Sequence, residues 1–132
     1  MIALDTNVII RFLVRDDEKQ AKIVYARLKK AEVARERLFI PLVVLLETLW
    51  VLESAYDMSR SNILDALEDL RQMPILDFEV DHVLGMLLVS GRNTTADLPD
   101  LLISHSAECS GCDSILTFDK KASKQPLFQL IK

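Results

Sequence analysis

Short apolar runs alternate along this chain with longer stretches of helical spacing. "MIAL" at the start, "RLFIP" (37–41), "PILDF" (74–78), "SILTFD" (114–119) and "PLFQLI" (126–131) read as strands, each bounded by polar or turn-forming residues. Between them, "DTNVIIRFLV" (5–14) continues as a helix with Asn7 in its first turn. Asp16 and Asp17 then cap a longer helix, "EKQAKIVYARLKKAEVARE" (18–36), in which Ile23, Ala26 or Arg27 and Leu28 recur at helical intervals. Pro41 starts the next, "LVVLLETLWVLESAY" (42–56), which is apolar nearly all round and is therefore expected to be largely buried. Ser59 or Ser61 opens "RSNILDALEDLRQM" (60–73), and Pro74 closes it. "EVDHVLGMLLVSG" is expected to end near Gly91, and "DLPDLLISHSAECSG" has Gly111 as its stop.

The order β-α-α-β-α-α-β-α-α-β-(β) predicts an α/β fold. Its form would be a three-layer α/β/α arrangement with a mostly parallel sheet of four to five strands, because parallel strands need helical crossovers that cover both faces. In such sheets, sites form outside the carboxyl ends of the strands. Asp5 occupies one of those ends and Asp119 another.

Length and composition narrow the class without naming a function. The 132 residues fit one domain, 1–132, with no repeat or linker, able to bury roughly two-thirds of the unfolded surface. Half the residues are hydrophobic and 27% charged, which suits a globular chain and excludes a disordered one. The longest apolar stretch, Phe39 to Leu52, is interrupted by Glu47 and is too short for a bilayer, which takes about 20 apolar residues. No basic segment followed by an apolar one precedes the first acid, so the chain is expected in the cytoplasm, off the membrane. The net charge of −4 argues against a partner held by a large basic surface. It leaves nucleic acid open, since a carboxylate metal site makes its own protein acidic. Cys109 and Cys112 form a C-x-x-C that could be a redox pair or half a zinc site. With no second pair, and with Gly111 stopping a helix between them, they read as small, semi-buried residues at a helix end.

Five acids stand where a solvated helix face would not put them: Asp5, Glu47, Asp97, Asp100 and Asp119. Each has an ordinary reading. Asp5 and Asp119 could be turn formers, while Asp97 suits an N-cap, with Asp100 completing a capping pattern. Glu47, amid Val43, Val44, Leu45, Leu46 and Leu49, is hardest to place. A lone buried carboxylate costs several kcal/mol, or gives up its charge, unless donors or a cation meet it. Oxygen-only ligands from separate segments suit a hard cation such as Mg²⁺ or Mn²⁺. Such an ion assists hydrolysis of a phosphodiester.

Taken together, "MIALDTNVIIRFL", "IPLVVLLETLWVL", "DLPDLLISHSAECSGC" and "ILTFDKK" resemble the PIN-domain ribonucleases, with the VapC-like toxins of type II toxin–antitoxin modules as the nearest group. The resemblance runs in order over the whole chain. It implies Asp5, Glu47, Asp100 and Asp119 as catalytic acids. Asp97 joins them around Mg²⁺ or Mn²⁺, and Thr6, Asn7 and Thr117 support them. It further implies an RNA substrate, a cognate antitoxin and a homodimer. Arg11, Arg15, Lys120 and Lys121 are candidates for steering RNA phosphates, though rim cations are commonly just solvated. Ser104 and His105 stand where the family has small residues; His105 is read as a helix-face residue. The alternatives are a PIN nuclease that processes RNA outside a toxin module, or a haloacid-dehalogenase-like phosphatase. The latter places D-x-D at the first strand end, where this chain has Asp5 and Asn7.

Overall fold

The computed structural model describes residues 1–131, which divide into two compact units, Met1–Asp81 and 82–131. All the strands described are paired in parallel, the first three through helical crossovers and the last two through a loop that holds one 3₁₀ turn.

The first unit runs β1 (Ile2–Ala3), α1 (Thr6–Val14), α2 (Glu18–Ala34), β2 (Leu38–Ile40), α3 (Leu42–Ser54), α4 (Arg60–Arg71) and β3 (Leu76–Phe78). Its sheet has the order β1-β2-β3, with Ile2 opposite Leu38 and Leu38 opposite Leu76. Period-two alternation buries Leu38, Ile40, Leu76 and Phe78 and leaves Phe39 and Asp77 half-buried. Helix α1 packs on α2 and α3, α3 on α4, and α4 on β3. The α4 stripe of Ile63, Leu64, Leu67 and Leu70 is the clearest 3.6-residue pattern, and all four are buried. Ser59 caps it, its hydroxyl accepting from the amide of Asn62 at 3.2 Å.

In two helices the buried stripe differs from expectation. In α2 it is Ala21, Val24, Leu28 and Ala31, while Ile23 is 62% exposed. The smaller Ala21 and Ala31 set the phase there, which a count of large apolar residues misses. Helix α3 is not buried all round. Val44, Leu45, Thr48, Leu49 and Leu52 face inward, whereas Val43 and Trp50 are 73% and 63% exposed. Glu47 lies on that outward face and is itself exposed, so no isolated charge is buried in α3.

The second unit holds α5 (Asp81–Asn93, whose first residue closes the first unit), α6 (Leu98–Cys109), β4 (Ile115–Thr117), a 3₁₀ turn (Ala122–Lys124) and β5 (Phe128–Leu130). Strands β4 and β5 form a parallel pair, Ile115 opposite Phe128 and Thr117 opposite Leu130. Val83, Leu84, Leu87 and Leu88 of α5, and Leu98, Leu101 and Leu102 of α6, are buried. Helix α5 does not stop at Gly91 but runs past it to Asn93, with Gly91 buried inside the helix. Gly111 does stop α6. Its φ of +87° lets its own amide donate to the Glu108 carbonyl at 3.0 Å, and the Cys112 amide to the Ala107 carbonyl at 3.0 Å. That bond pair is the Schellman motif, which satisfies carbonyls left over at the helix end.

Candidate active site

Strand β1 delivers Asp5 to the start of α1. The Asp5 backbone is extended, and its carbonyl accepts from the amides of Val8 (3.1 Å) and Ile9 (3.4 Å), which begins the helix. Its carboxylate makes no capping bond. The side chain is exposed at the positive end of the α1 dipole, a position that favours an anion. The next residue, Thr6, is buried, and its hydroxyl donates to Glu47 Oε1 on α3. The "DTN" segment and the α3 acid, 41 residues apart, are thus joined through a threonine. Thr6 carries the link; Asn7 is exposed on the first turn.

The second unit gathers the remaining acids. Asp97 sits at the N-cap position of α6, with Pro99 in the first turn, and again no side-chain capping bond is made. Its Oδ1 instead pairs with Lys121 Nζ at 3.1 Å. Asp119 follows β4 and is a turn former. Its Oδ1 accepts from the amides of Lys121 (2.8 Å) and Ala122 (3.2 Å), while its own amide donates to Thr117 Oγ1 at 3.0 Å. Asp100, half-buried in the first turn of α6, has its carboxyl pushed above the usual range. Burial is the largest cause, followed by the charges of Asp97 and Asp119, with Lys121 opposing. The end of β4 and the start of α6 therefore share one electrostatic neighbourhood.

The cations divide differently from expectation. Arg11 is bound within its own unit: Nε donates to Gln20 Oε1 at 2.6 Å, and Nη1 reaches Asp16 Oδ1 at 3.2 Å and the Tyr56 hydroxyl at 3.3 Å. Tyr56 in turn donates to Asp16 Oδ2 at 2.9 Å. This network ties α1 to the start of α2 and the end of α3. Arg15 closes α1 in a left-handed conformation and borders a cavity of about 500 Å³ with Lys22 and Tyr25. Lys120 is exposed, and Lys121 is the cation already paired with an acid. The Lys121–Asp97 pair, 24 residues apart, has no local sequence signature. Nor has the contact of His105 Nε2 with Ser90 Oγ at 2.7 Å, which joins α6 to α5.

The donors offered in both units are oxygens, and Asp100, its carboxyl raised first by burial and then by the charges of Asp97 and Asp119, has two carboxylates as electrostatic neighbours. That chemistry fits a hard divalent ion. Among the described residues, no three His, Cys, Asp or Glu side chains stand grouped closely enough to enclose one.

Residues 2–126 match the PIN domain family, and the chain belongs to it. It is also similar to a VapC ribonuclease of Aquifex aeolicus (strain VF5), 26% identical over 126 residues that cover 94% of this chain and 91% of that protein. No solved structure matches. Among the described residues no helix is long and apolar enough to cross a membrane.

Proposed function

We propose that this chain is a metal-dependent endoribonuclease that hydrolyses RNA phosphodiester bonds, acting as the toxin of a toxin–antitoxin pair. The observation that carries the reading is the PIN domain match over residues 2–126, which takes in both units and every acid named above. The likeness to a VapC ribonuclease over nearly its full length supports the ribonuclease activity and the toxin role. The same reading proposes a single nuclease domain over residues 1–132, a homodimer, a cytoplasmic location and a cognate antitoxin. Membership of the PIN family sets the phosphatase alternative aside.

Asp5, Asp97, Asp100 and Glu47 would hold Mg²⁺ or Mn²⁺, with Asp119 contributing. Such an ion activates water and offsets charge on the phosphodiester. The protein's own part is to aim the carboxylates. Thr6 fixes the Glu47 carboxylate through its hydroxyl. The Asp119 turn, braced by Thr117, holds the β4 end against the amides of Lys121 and Ala122. Lys121 neutralises part of the charge on Asp97, so RNA meets a less repulsive surface. Of the candidate cations, Arg15 and Lys120 remain to attract phosphate. Arg11, spent on Asp16, Gln20 and Tyr56, is better read as a positioning residue for α1.

The test is cleavage of RNA by purified protein with and without EDTA, beside Asp5→Asn and Asp100→Asn. Wild type in Mg²⁺ or Mn²⁺ is expected to cleave, chelation to abolish cleavage, and either substitution to slow it severely. Equal cleavage by all three proteins would mean contaminating nuclease and would overturn the reading.

A further inference from the structure

We propose that Cys109, Cys112 and Met86 form a three-sulfur site for a soft monovalent cation of the copper(I) class, independent of the acidic residues. The starting point is a departure from expectation: both cysteines are exposed free thiols, not semi-buried packing residues. Cys109, the last residue of α6, has its Sγ 3.7 Å from Sδ of Met86 on α5. Two metal–sulfur bonds of about 2.3 Å, opening at a trigonal or tetrahedral angle, put their sulfurs roughly 3.8–4.0 Å apart. The observed spacing is thus already close to that of two sulfurs sharing one metal ion.

Two features hold this arrangement in place. One turn further into both helices, Ser90 lies four residues after Met86 and His105 four before Cys109. Their 2.7 Å contact clamps α5 to α6. At the other end, the Schellman turn fixes Cys112, whose amide is bound to the Ala107 carbonyl. The turn folds the chain back just after Cys109, so the Cys112 backbone is held beside the helix end that carries Cys109, and the proposed site needs only the rotation of an exposed Cys112 side chain to complete it. Apart from its two chain neighbours, nothing stands within 4 Å of where a Cβ on Gly111 would lie, and both thiols are exposed, so an ion can reach them.

The donor set selects the ion. A closed zinc site takes four ligands drawn from thiolate, imidazole and carboxylate. Here no three His, Cys, Asp or Glu side chains are grouped among the described residues, and the third donor is a thioether. Thiolate and thioether together are soft ligands suited to copper(I), which is content with two or three donors. Each thiol gives up its proton to solvent on binding, so uptake weakens as pH falls.

The experiment is an anaerobic titration of the full reduced chain with copper(I) against bicinchoninate, in parallel with zinc. The variants are Cys109→Ser, Cys112→Ser and Met86→Leu, each checked for an unchanged melting temperature before metal is added. Wild type is expected to withdraw one equivalent of copper from the chelator, with no displacement by equimolar zinc. Each cysteine variant should lose that equivalent. Met86→Leu, nearly the same size, should bind at least about tenfold more weakly, the scale on which even an outer-shell partner changes metal affinity. No uptake by wild type, equal affinity in Met86→Leu, or displacement by zinc would each overturn the proposal.

Discussion

Asp5 and Asp97 occupy the same kind of place, the residue before a helix, and neither uses its carboxylate to cap it. Asp17 and Ser59, in equivalent positions, do cap theirs, Asp17 accepting from the Gln20 amide at 3.0 Å. Sequence alone cannot separate these cases, because all four residues are good N-caps by type. Asp100 shows what the spare charge costs. Its carboxyl is raised above the ordinary value by burial and by Asp97 and Asp119. For a raised carboxyl the associated stability is complete below the unfolded-state value near 3.8 and is lost as pH rises through the folded-state value. At neutral pH and without metal, ionised Asp100 therefore destabilises the fold, and Asp100→Asn should melt at the same temperature or a few degrees higher. Roughly 1 kcal/mol corresponds to about 4 °C for a domain of this size. Thermal melts in EDTA at pH 7 and at pH 3.5 check this, the advantage vanishing at the lower pH. A clear loss of stability at pH 7 would mean that Asp100 carries structure after all.

The elements themselves were legible wherever one signal dominated. Helix α4 announced itself by its cap, its leucine stripe and its closing proline, and the stop of α6 by Gly111. Less legible was which face of α2 and α3 turns inward, since that depends on small residues and on neighbours far along the chain. The joint between α5 and α6 was likewise invisible. Ser90 donates its one hydroxyl proton to the Met86 carbonyl at 3.0 Å, so the hydrogen between Ser90 Oγ and His105 Nε2 is assigned to the imidazole. His105 Nδ1 is then a bare buried acceptor, consistent with a neutral ring. Burial holds the His105 pKa below 6.5, and the Glu108 carboxylate 4.0 Å away opposes this only partly. A depressed pKa contributes stability above the unfolded-state value that is lost as pH falls toward the folded-state value. The wild type should therefore lose stability in urea between pH 7 and pH 5.5, a window in which ordinary carboxylates stay ionised. His105→Asn should be less stable at pH 7, by about 1–3 kcal/mol for the hydrogen bond and packing lost. Its stability should also change less across that window. An unchanged pH slope in the variant would show that another group titrates there.

At the scale of the whole chain, the fold class was readable because helical stretches separate the strand runs as far as β4, an order that favours parallel pairing. The strands fall into a set of three and a pair, a division decided by backbone hydrogen bonds that residue types do not encode. The acids show the same split. Sequence order suggested that five carboxylates act together. The structure joins "DTN" to Glu47 through Thr6 in one unit, and Asp97, Asp100 and Asp119 through charge and Lys121 in the other. If all five serve a single hydrolytic step, as proposed, removing one acid from each unit should be strongly non-additive, since residues that act as a unit lose little more after the first is gone. Single-turnover cleavage of RNA by Asp5→Asn, Asp100→Asn and the double variant measures this. The double variant should cleave within a few-fold of the slower single variant. Losses that multiply would instead mean that Asp5 and Asp100 contribute independently, and the single-step reading would fall even if the chain cuts RNA.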